Sequence, residues 1–113
     1  MHAVVGIWRR AGGQDEARMR VLRERIVPSV RRNPGFVAGY WTHDHATGKD
    51  HTFVVFETRE DAETFKAVVE RNSRDQAEHG MRKELLAIAE VTAEARATLG
   101  RGMVEETGGD PPI

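Results

Sequence analysis

The chain has 113 residues, enough for one domain with a modest core and too few for two. Its 17 Lys and Arg nearly balance 18 Asp and Glu, leaving a formal net charge of -1, so no strong field draws it toward nucleic acid or an anionic membrane. The absence of cysteine excludes disulfides, thiolate chemistry and cysteine-ligated metals together.

No apolar run approaches the roughly 20 residues of a membrane span. The opening MHAVVGIWRR also lacks the basic-then-apolar order of a secretory signal. A cytoplasmic protein that engages neither membrane nor nucleic acid is the expectation. Residues 2 to 9, HAVVGIWR, are apolar on both sides and suit a central strand, which Ala11-Gly12-Gly13 breaks. From about Gln14 to Asn33, Met19, Leu22, Ile26 and Val30 fall three or four apart, the signature of an amphipathic helix. Pro28 lies inside it and removes a backbone donor, which predicts a bend near Val27. Arg31 and Arg32 suit a solvated helix end, where positive charge complements the dipole.

Pro34 to Thr58, PGFVAGYWTHDHATGKDHTFVVFET, is the stretch around which the rest is organised. Residues 36 to 45 and 51 to 58 are rich in aromatic and β-branched side chains and are joined by the turn-forming Ala46-Thr47-Gly48-Lys49, which predicts a β-hairpin. Pairing Thr47 with Gly48 sets Asp44 opposite His51, Trp41 opposite Val54 and Gly39 opposite Phe56. One face then holds Trp41, His43, Thr52, Val54 and Phe56, and the other Phe36, Ala38, Tyr40, Phe53 and Val55. Tyr40 is expected to face the helices as a core aromatic. Both faces are apolar, yet the chain supplies one layer of helix, so a second copy of the chain is the simplest cover for the other face.

Thr58 and Asp61 form a capping box that starts a helix over about Arg59 to Asn72, with Ala62, Phe65, Val68 and Val69 on its apolar face. Ser73 with Gln76 reads as a second capping box, opening a short helical turn that stops at Gly80. From Leu85 to Ala97 the sequence alternates with a period of two and predicts a strand, against the helix-forming tendency of its alanine, leucine and glutamate. Gly100 to Ile113 reads as a disordered acidic tail beyond a domain over residues 1-99. The order strand, helix, strand, strand, helix, strand predicts an α+β, ferredoxin-like βαββαβ arrangement with an antiparallel sheet and helices on one face.

In IVPSVRRNPGF, VAGYW and VVFETREDAETF the chain resembles the antibiotic biosynthesis monooxygenase-like branch of the dimeric α/β barrel superfamily, over roughly Ala3 to Ala97. The resemblance implies a homodimer whose sheets close against each other, with a pocket between sheet and helices or between the sheets. Its members include cofactor-free oxygenases of polyketide quinols, quinol oxygenases and haem-degrading enzymes. The haem-degrading members carry a tryptophan just before the second helix and an asparagine in the first strand. Phe56 stands at the first position here and HAVVGIWR contains no asparagine, so a haem role is the weakest of these. A monooxygenase-like oxidoreductase without cofactor or metal is what the resemblance favours, and a non-catalytic dimeric module is the alternative.

His43, Asp44, His45 and His51 cluster in sequence, but an even-length loop sends His43 and His45 to one face and Asp44 and His51 to the other, so no metal site is expected. His43 is the candidate general base. It shares a face with Trp41, Val54 and Phe56, and Trp8 can line the same space, together suiting a flat aromatic ligand. The competing reading makes Trp41 and Phe56 dimer-interface core with His43 at the rim. His2, Asn72 and His79 are read as a terminus, a helix C-terminal residue and a residue beside the Gly80 helix stop.

Overall fold

The computed structural model describes residues 1–13 and 15–97, and the glycine-rich segment beyond, with its expected tail, lies outside the described residues. Its elements are β1 (His2–Arg10), α1 (Asp15–Val21), a π-helical segment (Leu22–Ile26), α2 (Val27–Arg31), β2 (Phe36–Asp44), β3 (Lys49–Phe56), α3 (Arg59–Arg71), α4 (Ser73–Glu78) and β4 (Met81–Glu90). The strands form one antiparallel sheet in the order β2-β3-β1-β4. This is the expected ferredoxin-like topology, with β1 and β3 in the middle.

Pro28 acts differently from a simple kink. It occupies the first turn of α2, where its missing N–H costs least, and the turn before it widens to π geometry, with the Val27 N–H bonded to the Leu22 carbonyl. The first helical region is thus three short pieces, and only Val30 in it is buried. Ile26 is exposed, so the predicted apolar stripe of Met19, Leu22, Ile26 and Val30 is only partly used.

The hairpin loop is four residues, His45 to Gly48. Asp44 holds it: its carboxylate accepts from the Ala46 N–H at 2.9 Å and the Thr47 hydroxyl at 2.9 Å, while its carbonyl accepts from the Gly48 N–H at 2.8 Å. These two side-chain bonds, the Thr47 hydroxyl first, hold the Asp44 carboxyl below its usual range. Gly48 sits at φ 74°, which an L side chain adopts only under strain. Trp41 therefore pairs with Thr52 and Gly39 with Val54, two residues away from the register expected at the sequence level. Because the slip is even, the shared face of Trp41, His43, Thr52, Val54 and Phe56 survives.

The faces are assigned the other way round from the expectation for Tyr40. The Trp41 and Phe56 side lies under the helices, while Tyr40 is 64% exposed on the open side with Phe53 at 39% and Leu85 at 42%. Phe36 also departs from expectation. A bulge between Phe36 and Ala38 inserts one residue, which returns Phe36 to the helix side opposite Phe56, edge-on at 6.3 Å between ring centroids. The core there is Val4, Val30, Val54, Phe56, Ala62 and Phe65.

α3 starts as expected, with the Thr58 hydroxyl accepting from the Asp61 N–H at 3.1 Å. Ser73 is not a cap: Asn72 ends α3 and precedes α4, and no side-chain bond closes that start. β4 begins at Met81, earlier than the alternation suggested, because β1 extends to Arg10 and pairs with it. It ends at Glu90, although the alternation runs on to Ala97. β1 begins at His2, and the last bond available there is from the Val91 N–H to the Met1 carbonyl at 2.9 Å. Among the described residues no helix is long and apolar enough to cross a membrane.

Candidate functional site

Pairing across the four strands arranges the helix-side residues in rows. At one end the row is Phe36, Phe56, His2 and Glu90; next come Gly39, Val54, Val4 and Ile88; then Trp41, Thr52, Gly6 and Leu86; and at the hairpin end His43, Asp50, Trp8 and Lys83. The rows change from aromatic core to polar, titratable groups. The candidate site is the last two rows.

Both indoles lie back along their strands over glycines. A Cβ at Gly39 would stand 2.8 Å from Trp41 Cη2, and a Cβ at Gly6 would stand 2.7 Å from Trp8 Nε1. The Trp8 indole N–H donates to the Thr52 hydroxyl at 3.3 Å, which satisfies the one polar atom of a buried side chain. Gly6 and Gly39 are thus needed for close approach, and each ring lies back against its own strand, so the floor consists of two separate indoles.

His43 sits at the hairpin end of this floor with its Nδ1 2.5 Å from Asp50 Oδ1. Arg10, at the end of β1, grips the same carboxylate: Nη2 lies 2.8 Å from Oδ1 and 2.9 Å from Oδ2, and Nε 3.3 Å from Oδ2. The Arg10 and Asp50 side chains are each only 14% exposed and that of His43 is 27% exposed, so these bonds are largely shielded from water. Arg10 Nη1 also reaches Asp15 at 3.4 Å, linking the site to the start of α1. The His45 ring stands edge-on to His43 at 4.7 Å between centroids.

Of the residues singled out from the sequence, Trp8, Trp41 and His43 come together around Asp50 and Thr52, while Val54 and Phe56 lie further back in the core. Trp8 shares this face because it pairs with Asp50 across β1 and β3. Asp50 and Arg10 escaped the sequence reading. The available signal is an acidic residue at alternation-matched spacing from Thr52 and Val54, on the face that also carries His43. His51 lies on the open side opposite Thr42. Among the described residues, no group of three His, Asp or Glu is placed to hold a metal ion.

A second charged cluster crosses the sheet nearby. Glu84 accepts from Arg9 Nε at 2.9 Å and pairs with Lys49 Nζ at 2.8 Å, and these two bonds, Lys49 first, hold its carboxyl below the usual glutamate range. Two surface clefts lie away from the indoles. One, of about 550 Å³, runs between α3 and β4 by Lys66, Leu86 and Ile88; the other, of about 510 Å³, follows α1 by Met19 and Arg23.

No family model matches the chain, and no curated protein matches it in sequence. Among solved structures, the crystal structure of a proposed antibiotic biosynthesis monooxygenase from Deinococcus radiodurans matches with a TM-score of 0.61. The match covers 88% of this chain and 100% of that one at 17% identity, a level that speaks for fold and not for activity. The chain is thus a ferredoxin-like α+β protein that shares its fold with an antibiotic biosynthesis monooxygenase-like protein.

Proposed function

We propose that the chain is a cofactor-free monooxygenase acting on an electron-rich aromatic molecule of the quinol or anthrone class, working as a homodimer. The observation that carries this reading is the His43 imidazole, engaged at Nδ1 by Asp50 on the sheet face that also carries the indoles of Trp41 and Trp8. A flat ring stacks on an indole floor, and a phenolic or enolic O–H is then within reach of the other imidazole nitrogen.

The chemistry asks little else of the protein. His43 takes the proton from the substrate oxygen, and the resulting anion gives one electron to dioxygen. The two radicals join to form a C–O bond, the peroxide anion takes back the proton held on His43, and the hydroperoxide loses water to leave a new carbonyl. One oxygen atom enters the product and the other leaves as water, and all four electrons that reduce dioxygen come from the substrate. Trp41 and Trp8 hold the ring in place and exclude water. The open face carrying Tyr40, Phe53 and Leu85 is the surface on which the second copy would close.

A non-catalytic binding module is the second reading, favoured by the burial of Trp8, Val54 and Phe56 and by the position of both clefts away from the indoles. Soaking crystals with a naphthoquinol mimic and following oxygen uptake separates the two. Ligand stacked on Trp41 with an oxygen within about 3 Å of His43, and uptake lost in His43→Ala, supports the oxygenase. A ligand bound elsewhere, or uptake unchanged in His43→Ala, overturns it.

A further inference from the structure

Three candidates stand out beyond the residues already assigned: the open sheet face, the cleft between α3 and β4, and the Arg10, Asp50 and His43 chain. The open face repeats the proposed dimer, and nothing in the cleft points to a ligand. The chain of three side chains carries more.

We propose that Asp50 is the positioning residue that fixes the tautomer of His43, and that Arg10 fixes Asp50. The proposal rests on the reading of His43 as the base. A carboxylate can only accept, so the 2.5 Å contact requires a proton on Nδ1, which in the neutral imidazole leaves Nε2 with its lone pair. Only that tautomer can receive a proton at Nε2. Without Asp50 both tautomers of a neutral imidazole are available, and the one with Nε2–H cannot act as a base at that atom.

Arg10 makes the arrangement directional. Its guanidinium can only donate, and it sends two contacts to Oδ2 and one to Oδ1, while His43 takes the remaining place on Oδ1. In Asp50→Asn the amide has one acceptor and one donor end. With its oxygen at the Oδ2 position it meets both Arg10 donors there, and only one donor-to-donor contact remains, to Nη2 at the other end. The reverse orientation creates two such contacts. The fork therefore turns the amide NH2 toward His43, which must then accept at Nδ1 and carry its proton on Nε2. A nearly isosteric change thus inverts the ring.

The test reads the ring directly. Long-range ¹H–¹⁵N spectra of the full-length, ¹⁵N-labelled protein are recorded without ligand at a pH where imidazoles are neutral, with the His43 signals identified by their loss in His43→Gln. The native protein is expected to show a protonated Nδ1 and a lone-pair Nε2, and Asp50→Asn the opposite pattern. Arg10→Met, which removes the fork, is expected to give a mixture in the Asp50→Asn background. A native His43 with its proton on Nε2 overturns the proposal without any variant, so poor folding of Asp50→Asn cannot rescue it. An unchanged tautomer in folded Asp50→Asn overturns it as well. Oxygen uptake is then measured separately: a tautomer that inverts while His43→Ala retains uptake sinks the oxygenase reading and leaves the positioning role standing. If both hold, Asp50→Asn should lose about 10²-fold or more in kcat, and a purely structural role would not move the tautomer.

Discussion

The indole floor is the feature most open to a direct test, through Gly39→Ala. The added methyl would stand 2.8 Å from Trp41 Cη2 and 2.9 Å from Cζ3, well inside ordinary carbon contact, with Phe36 Cε1 closing the other side at 3.5 Å. An indole is rigid, so the ring must tilt away from the sheet or the strand must shift. Overpacking of this kind costs about 1–3 kcal/mol. Alanine restricts the unfolded chain more than glycine and returns about 0.4–1 kcal/mol. The net loss is then roughly 1–2 kcal/mol, a fall in Tm of about 4–8 °C for a domain of this size. Thermal melts by circular dichroism measure it. Tryptophan emission in a Trp8→Phe background, where Trp41 is the one remaining indole, reports whether the ring has lifted into a wetter setting. Gly39→Ala as stable as the native protein, with emission unchanged, would show that the indole does not rest on Gly39 and remove the floor from the proposed site.

His43→Ala should retain the native melt within about 1 kcal/mol, since its ring is at the sheet end, yet lose oxygen uptake by about 10²-fold or more. Phe56→Ala, at a fully buried ring packed 5.2 Å from Phe65, should cost about 3–5 kcal/mol in urea unfolding, and a smaller loss would mean the core collapses around the gap. Phe53→Asp on the open face should give a monomer by analytical ultracentrifugation, and a dimer that persists would place the interface elsewhere. Glu84 binds a proton more readily unfolded than folded, so its pairs with Lys49 and Arg9 add stability above the usual glutamate value of about 4.3 and lose it as pH falls through the lower folded value. Glu84→Gln should flatten that part of the Tm against pH curve, and an unchanged acid slope would show that the pairs are not formed in solution.

Much of the fold was legible because alternation survives errors of register. The hairpin pairs two residues away from the expected register, and every shared face from Ala38 to the loop is still as expected, since parity is what alternation encodes. What alternation does not encode is which of two apolar faces the helices choose. Tyr40 was misplaced for that reason, and Phe36 because a bulge shifts parity by one without a glycine to announce it. The ends of β4 depended on its partner: β1 runs from His2 to Arg10, and the strand beside it can be no longer than the ladder allows. In the site, His43 and Trp41 were visible because they share one strand. Arg10 and Asp50 are 40 residues apart, and only the pairing of β1 with β3 brings them together.

The π-helical segment before Pro28 has a consequence for the phase of the first helix. A π turn is what an α-helix becomes when one residue is added to it, and the wider turn takes in that residue without a full extra step of rotation. Removing one residue between Leu22 and Ile26 would restore a regular helix and leave α1 close to its present phase relative to Val30, which is anchored in the core. Asp15 would still lie beside Arg10. The wide turn is therefore a place where the chain takes up a residue without passing the change on to either end of the helix.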